Sequence, residues 1–411
     1  DGLSCIEEEI NVDSNISQDT TWTADKRYRL IGQRFVESGA TLTIEPGTTI
    51  IGDSNTSGLL VVDRGAKIMA NGTTTHPIVF TSDKPVGQRS RGDWGGIIIL
   101  GNGKSNSAGG EGLAEGIVPD TNWGGGANPN DAESSGEMSY VRIEWGGTEI
   151  SENNEVNALS IFGVGAGTVM HHIQCKYNDD DGFEWFGGAA DLKYGIATGI
   201  ADDDFDYSFG WTGRGQFWVG QKADDEGDRG IEADGSEEVF DATPLTSPTI
   251  ANVTFIGSGS DGTSDTGIVQ RRGVVGSIYN AIVMGWQDAG YDIDDAATAS
   301  NDGGSLSIDT SVFFDNNEDA ELGDGDESGF DFTSDEALRT RGDDNIFATD
   351  SPIVDPYTLG APDFRAQNDG ATAGTDVSAI DSYFDATSYR GAVAPTGDDW
   401  TQADWISYAT N

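Results

Sequence analysis

Gly39-Ala40-Thr41-Leu42-Thr43-Ile44-Glu45-Pro46-Gly47 is echoed, 26 residues later, by Gly65-Ala66-Lys67-Ile68-Met69-Ala70. In both copies a Gly-Ala turn feeds a short run of alternating apolar and polar residues, the period of a strand with one buried face. A unit this small cannot bury its own apolar face and has to stack on its neighbour, so repetition at one coil length predicts an all-β solenoid, a parallel β-helix. Residues 48–51, 59–63, 78–81 and 95–100 are further β-rich runs split by Gly, Pro and Asn turns, and helix-period stretches are nearly absent. A Gly/Asn/Ser-rich stretch over 101–135 is too polar for core and too long for a turn, and reads as a lateral loop. Strands resume at 139 and continue to about 315. The expected organisation is an N-terminal segment or cap over 1–37, the β-helix over 38–315, and an acidic, loop-rich region over 316–411 that packs on the helix and caps its open end.

Composition narrows the partners. The 411 residues carry 71 acidic against 22 basic side chains, a formal charge of −49. Phosphate contacts need clustered Lys and Arg, so nucleic acid and anionic membrane are poor partners. Fifty-eight glycines fit many tight turns, and 36% hydrophobic content with 10 tryptophans is enough for a core. No apolar run approaches the ~20 residues of a transmembrane helix. The chain starts at Asp1 with no basic or apolar leader, and the expectation is an exported protein whose signal peptide has been removed. Cys5 and Cys175 are the only cysteines and are expected to form a disulfide anchoring the N-terminal segment, in an oxidising compartment.

The acids are clustered at near-regular spacing. Asp179-Asp180-Asp181, Asp202-Asp203-Asp204 and Asp224-Asp225 begin at intervals of 23 and 22 residues, about one coil. Stacked on successive coils they form a carboxylate column, and like charges facing each other across strands repel. Ca²⁺ accepts six to eight oxygen ligands in irregular geometry and suits such a column. No EF-hand loop or tandem nonapeptide repeat is present, so this prediction rests on geometry. Asp324, Asp326 and Glu327 form another acidic loop of the same kind.

Other candidates come from strand alternation. In Phe183-Glu184-Trp185 and Phe205-Asp206-Tyr207 the acid and the rings fall on opposite faces, so buried rings place Glu184 and Asp206 on an outer face. Arg271-Arg272 is the best basic candidate in a chain poor in cations, although adjacent strand residues are expected to point to opposite faces. His171 and His172 are adjacent and expected to project oppositely, which is no zinc motif. Trp185, Trp211, Trp218 and Trp286 are core residues by default and a sugar-stacking platform if they lie exposed in one row.

The runs 39–48, Arg64-Gly65-Ala66-Lys67-Ile68, His76-Pro77-Ile78-Val79-Phe80-Thr81-Ser82 and Gly92-Asp93-Trp94-Gly95-Gly96-Ile97 resemble a family of secreted or lipid-anchored bacterial surface proteins. The likeness continues through Tyr140-Val141-Arg142-Ile143-Glu144, Asp180-Asp181-Gly182-Phe183-Glu184-Trp185-Phe186, Asp202-Asp203-Asp204-Phe205-Asp206 and Tyr279-Asn280-Ala281-Ile282-Val283. It implies a right-handed, pectin-lyase-like parallel β-helix at the cell surface and supplies no catalytic motif. Polysaccharide lyases on this fold commonly pair Ca²⁺ with an Arg or Lys base, the role open to Arg271 or Arg272. The leading expectation is a non-catalytic extracellular surface protein, structural, adhesive or self-assembling, stabilised by Ca²⁺. The alternatives are a glycan-binding surface protein, and a Ca²⁺-dependent polysaccharide lyase or a glycoside hydrolase using Glu184 and Asp206.

Overall fold

The computed structural model describes residues 8–151, 154–236, 239–260, 262–302, 304–321 and 334–411. Among them the chain winds through two large parallel sheets, one of 16 strands and one of nine, with two short antiparallel pairs outside them. Each coil contributes a short strand to the nine-stranded sheet, then a longer one to the other. The short strands Leu159–Phe162, Phe183–Phe186, Phe205–Ser208, Ile231–Asp234 and Ile268–Arg271 are consecutive neighbours. Their register stacks Leu159, Phe183, Phe205, Ile231 and Ile268, all buried, along the interior. The aromatic members stack face to face: Phe183 and Phe205 lie 5.0 Å apart with nearly parallel planes, and Trp218 covers Phe205 at 4.6 Å. This is the core that the 26-residue echo demanded, since Thr41–Ile44 pairs in parallel with Lys67–Asn71.

The long strands bend at one residue each. Tyr140, His172, Tyr194, Phe217, Asn252 and Asn280 all have φ between 51° and 62°, a left-handed kink that breaks strand alternation. In-register kinks throw these side chains outward into a ladder: Tyr140–His172 4.5 Å, His172–Tyr194 4.3 Å, Tyr194–Phe217 4.9 Å. The kink corrects the expected divergence of His171 and His172, whose Nδ1 atoms come within 2.9 Å.

Residues 353–411 do not lie across the end of the coil; they run back along the outer face of the long sheet. Asn280 and Thr375 exchange two hydrogen bonds of 2.8 Å, Asp385 N donates to Gln216 Oε1, Ser407 N to Gln174 Oε1, and Gly87 N to Asn411 Oδ1. The face itself explains the path. Ile196, Val219, Ile256 and Ile282 point outward there, and Ile353, Phe364, Val393 and Trp405 bury them. Cys175 is fully buried in the interior stack and has no disulfide partner among the described residues; Cys5, its partner in the expected bridge, lies outside them. Among the described residues no helix is long and apolar enough to cross a membrane.

Candidate functional site

The site lies on the outer face of the nine-stranded sheet. Alternation turns Phe183, Trp185, Phe205 and Tyr207 inward, all fully buried, and sets Glu184, Asp206 and Glu232 side by side on the outside. In the turns that precede these strands, Asp180-Asp181 and Asp202-Asp203 stack on each other, then on Asp228-Arg229. Gly182 N donates to Asp203 O at 2.9 Å, and Asp204 N to Arg229 O at 3.0 Å. Carboxylates help to hold the stack: Asp203 N donates to Asp181 Oδ1 and Arg229 N to Asp203 Oδ1.

The result is a lattice of acids that copies itself from coil to coil. Asp180, Asp181 and Asp202 bring oxygens within 4.8 Å of one another, and so do Asp202, Asp203 and Asp228, the same trio moved by one coil. Asp181, Glu184 and Asp206 form a second trio, which recurs as Asp203, Asp206 and Glu232. Asp206 belongs to both members of the second pair, and adjacent coils are ~4.8 Å apart.

Burial makes this charge density expensive. Asp180 is pushed up to about 8, by burial first and then by Asp202, Glu115 and Glu155. Asp181, Glu184, Asp203 and Asp206 are driven well above the usual carboxylate range, with burial the largest cause and neighbouring acids the next. Hydrogen bonds relieve part of it: Asn157 Nδ2 donates to Glu184, and Arg229 pairs with Asp228 at 2.6 Å and Glu232 at 2.5 Å. Asp206 Oδ1 is buried with no hydrogen-bond partner. An all-oxygen donor set with an unfilled acceptor fits Ca²⁺, which takes carboxylates, carbonyls and water together.

Not every acid expected in the column belongs to it. Asp224 and Asp225 are exposed, and Asp225 pairs with Arg91 at 3.1 Å. The cause is coil length: Phe183 to Phe205 is 22 residues but Phe205 to Ile231 is 26, so the extra residues bulge and Asp228 takes the column position. Asp204 turns into the interior and meets Lys222. Asp179 is exposed near Arg91, away from the trios. Asp324, Asp326 and Glu327 lie outside the described residues.

Above the acids the 101–135 excursion forms a wall. Its two short strands, Gly112–Leu113 and Asn122–Trp123, pair antiparallel, and Trp123 packs on Phe162, Phe186 and Phe209 at 5.6–6.3 Å. The cleft between wall and sheet has a volume of about 650 Å³ and holds Glu184, Asp206 and Glu232 on its floor, Phe186 and Phe209 on one side, and Leu113 and Val239 at its mouth. Leu113 is 62% exposed and Val239 51%. Arg271 and Arg272 both line the cleft, against the expectation that they diverge. Arg272 has φ 56°, which ends the alternation, and both guanidiniums reach Asp234, Arg271 Nε at 2.7 Å. Trp185, Trp211, Trp218 and Trp286 are at most 1% exposed and offer no platform; the rings that line the cleft are Trp123, Phe162, Phe186 and Phe209.

Which acids would cluster was signalled by the alternation around Glu184 and Asp206. Glu232 and Asp228 were missed because the irregular coil lengths hide them. No curated protein and no solved structure matches this chain significantly. A family profile described as a pectate-lyase-like beta helix domain matches residues 14–352, most of the chain and every strand of the cleft floor, and the protein belongs to that family.

Proposed function

We propose that this protein is a non-catalytic, exported glycan-binding β-helix whose acidic floor holds Ca²⁺. The observation that carries the reading is the cleft itself, with stacked acids on its floor and phenylalanine rings on its side. A sugar ring has an apolar C–H face and polar edges, so it stacks on Phe186 and Phe209 while its hydroxyls meet the carboxylates and their cations. A net charge of −49 favours neutral glycans over polyanions. Binding by such a surface is the adhesive form of an extracellular role.

Lyase chemistry is the second reading, because Arg271 and Arg272 reach the same cleft. Both are engaged by carboxylates, Glu232 and Asp234 for Arg271 and Asp234 for Arg272, and a guanidinium so paired holds an anion better than it accepts a proton. The floor carboxylates each offer one oxygen within 4.8 Å of the others, a spacing suited to a shared cation. A glycan array probed with Ca²⁺ and with chelator tests the reading. Calcium-dependent retention of neutral glycans, lost in Phe186→Ala, supports it; no retention, or depolymerisation of a polyuronate panel, refutes it.

A further inference from the structure

Asp204 opens the strand Phe205–Ser208 and Lys222 follows the long-sheet strand Arg214–Gln221 of the same coil, so the two residues bracket almost one turn of the solenoid. Their side chains meet inside it. Lys222 Nζ lies 3.2 Å from Asp204 Oδ1, and both side chains are wholly excluded from solvent. Two glycines make the room: a Cβ on Gly220 would strike Asp204 Oδ2, and one on Gly227 would come within 2.8 Å of Lys222 Cδ. The amine also donates to the main-chain carbonyl of Asp202, which aims it, while neither Asp204 oxygen has a hydrogen-bond partner of good geometry.

The other lysine pairs differ. Lys84, Lys104 and Lys193 keep 42%, 57% and 19% of their side chains in solvent, which keeps their ammonium groups hydrated. Lys176 is buried beside Glu144, but Arg142 and Arg89 share that carboxylate, so the two do not form an isolated pair. For Lys222 and Asp204 the charges stay costly in a dry interior, and a reaction that removes both relieves the burial penalty.

We propose that Lys222 and Asp204 become joined by an isopeptide bond that closes one coil of the β-helix into a covalent ring. Within the dry pair one proton passes from the ammonium to the carboxylate, leaving an amine and a carboxylic acid. The Nζ lone pair attacks Cγ, a C–N bond forms and the C–OH bond breaks. The hydroxyl departs with a second Nζ proton as water. Amine plus acid becomes amide plus water, with no oxidant, nucleotide or metal consumed.

Intact-mass measurement of the folded, purified protein tests this directly. The expected mass is lower than the sequence mass by one water. After unfolding, trypsin is expected to leave the bond after Lys222 uncut and to release a branched peptide joining the Lys222 and Asp204 segments. Lys222→Arg keeps the charge but cannot form the link, and should show its full mass. Asp204→Asn should reach the same cross-linked product by losing ammonia. A full sequence mass with normal cleavage after Lys222 overturns the proposal and leaves an ion pair. So does a lost water that maps to a succinimide at an Asp-Gly step.

Discussion

Removing divalent cations should invert the usual pH dependence of this protein's stability. A carboxyl whose folded value lies above its unfolded one binds more protons when folded, so its contribution is greatest at low pH and is lost as pH rises between the two values. For Asp180 that window runs from 3.8 to about 8. At about 1.4 kcal/mol per pH unit, the loss across it is on the order of 6 kcal/mol. Asp181, Glu184, Asp203 and Asp206 shift in the same direction and deepen it. Surface carboxylates paired with arginine, such as Asp225 and Asp363, are shifted down instead and act at the acid end, below this window. If Ca²⁺ binds the ionised cluster, as proposed, a thousandfold excess over Kd at one site restores ~4 kcal/mol at the alkaline end. Urea unfolding followed by fluorescence of the buried tryptophans, with chelator and with Ca²⁺, reads both effects. The chelated chain should be most stable at the acid end of the window, and the Ca²⁺-loaded chain should be nearly flat across it. A chelated midpoint that climbs with pH, or one indifferent to Ca²⁺, refutes the reasoning.

Asp206 is shared by two trios, so Asp206→Asn should weaken Ca²⁺ binding at both, whereas Asp224→Asn with Asp225→Asn on the exposed bulge should leave the calorimetric isotherm unchanged. Leu113→Ser at the mouth of the cleft should lower glycan affinity several-fold while shifting stability by no more than ~0.5 kcal/mol, because the side chain is 62% exposed. Trp405→Ala removes a ring that is 1% exposed and packed on the long sheet. The cost is expected at about 3–5 kcal/mol, and limited proteolysis should then trim 353–411 before it reaches the coils.

The fold was legible because a solenoid writes its period into the chain: Thr41–Ile44 and Lys67–Asn71 are paired neighbours in space. The outward direction of Glu184 and Asp206 was legible for a related reason, since alternation with large rings leaves the acids one face only. Three things were not. Coil length varies with every excursion, so equal spacing placed Asp224 where Asp228 stands. A left-handed kink at His172 or Arg272 has no signature in residue type, and each reversed an inference drawn from alternation. The outer face of the long sheet is lined by Ile196, Val219 and Ile256 at positions that read as ordinary core, so nothing local announced that residues 353–411 would cover it.

Translation along the coil axis also explains why the acids stop where they do. Each coil repeats its neighbour at ~4.8 Å, so a favourable apolar contact is multiplied and a carboxylate becomes a row of repulsions. The turn column Asp181, Asp203 is continued by Arg229, and Asp234 on the sheet is followed in register by Arg271. Each guanidinium reaches back to acids of earlier coils: Arg229 to Asp203 at 3.9 Å, Arg271 to Asp234 at 2.7 Å. The arginines therefore close the acidic lattice on one side. Toward Asp180, Asp181 and Glu184 the causes of the upward shifts are burial and other acids, with little cationic relief among them. If added cations do the same work as the arginines, they should occupy that side first, and Glu184→Gln should reduce Ca²⁺ uptake more than Glu232→Gln, whose carboxylate already has Arg229 and Arg271. Equal losses in the two variants would show that the arginines do not set the order of filling.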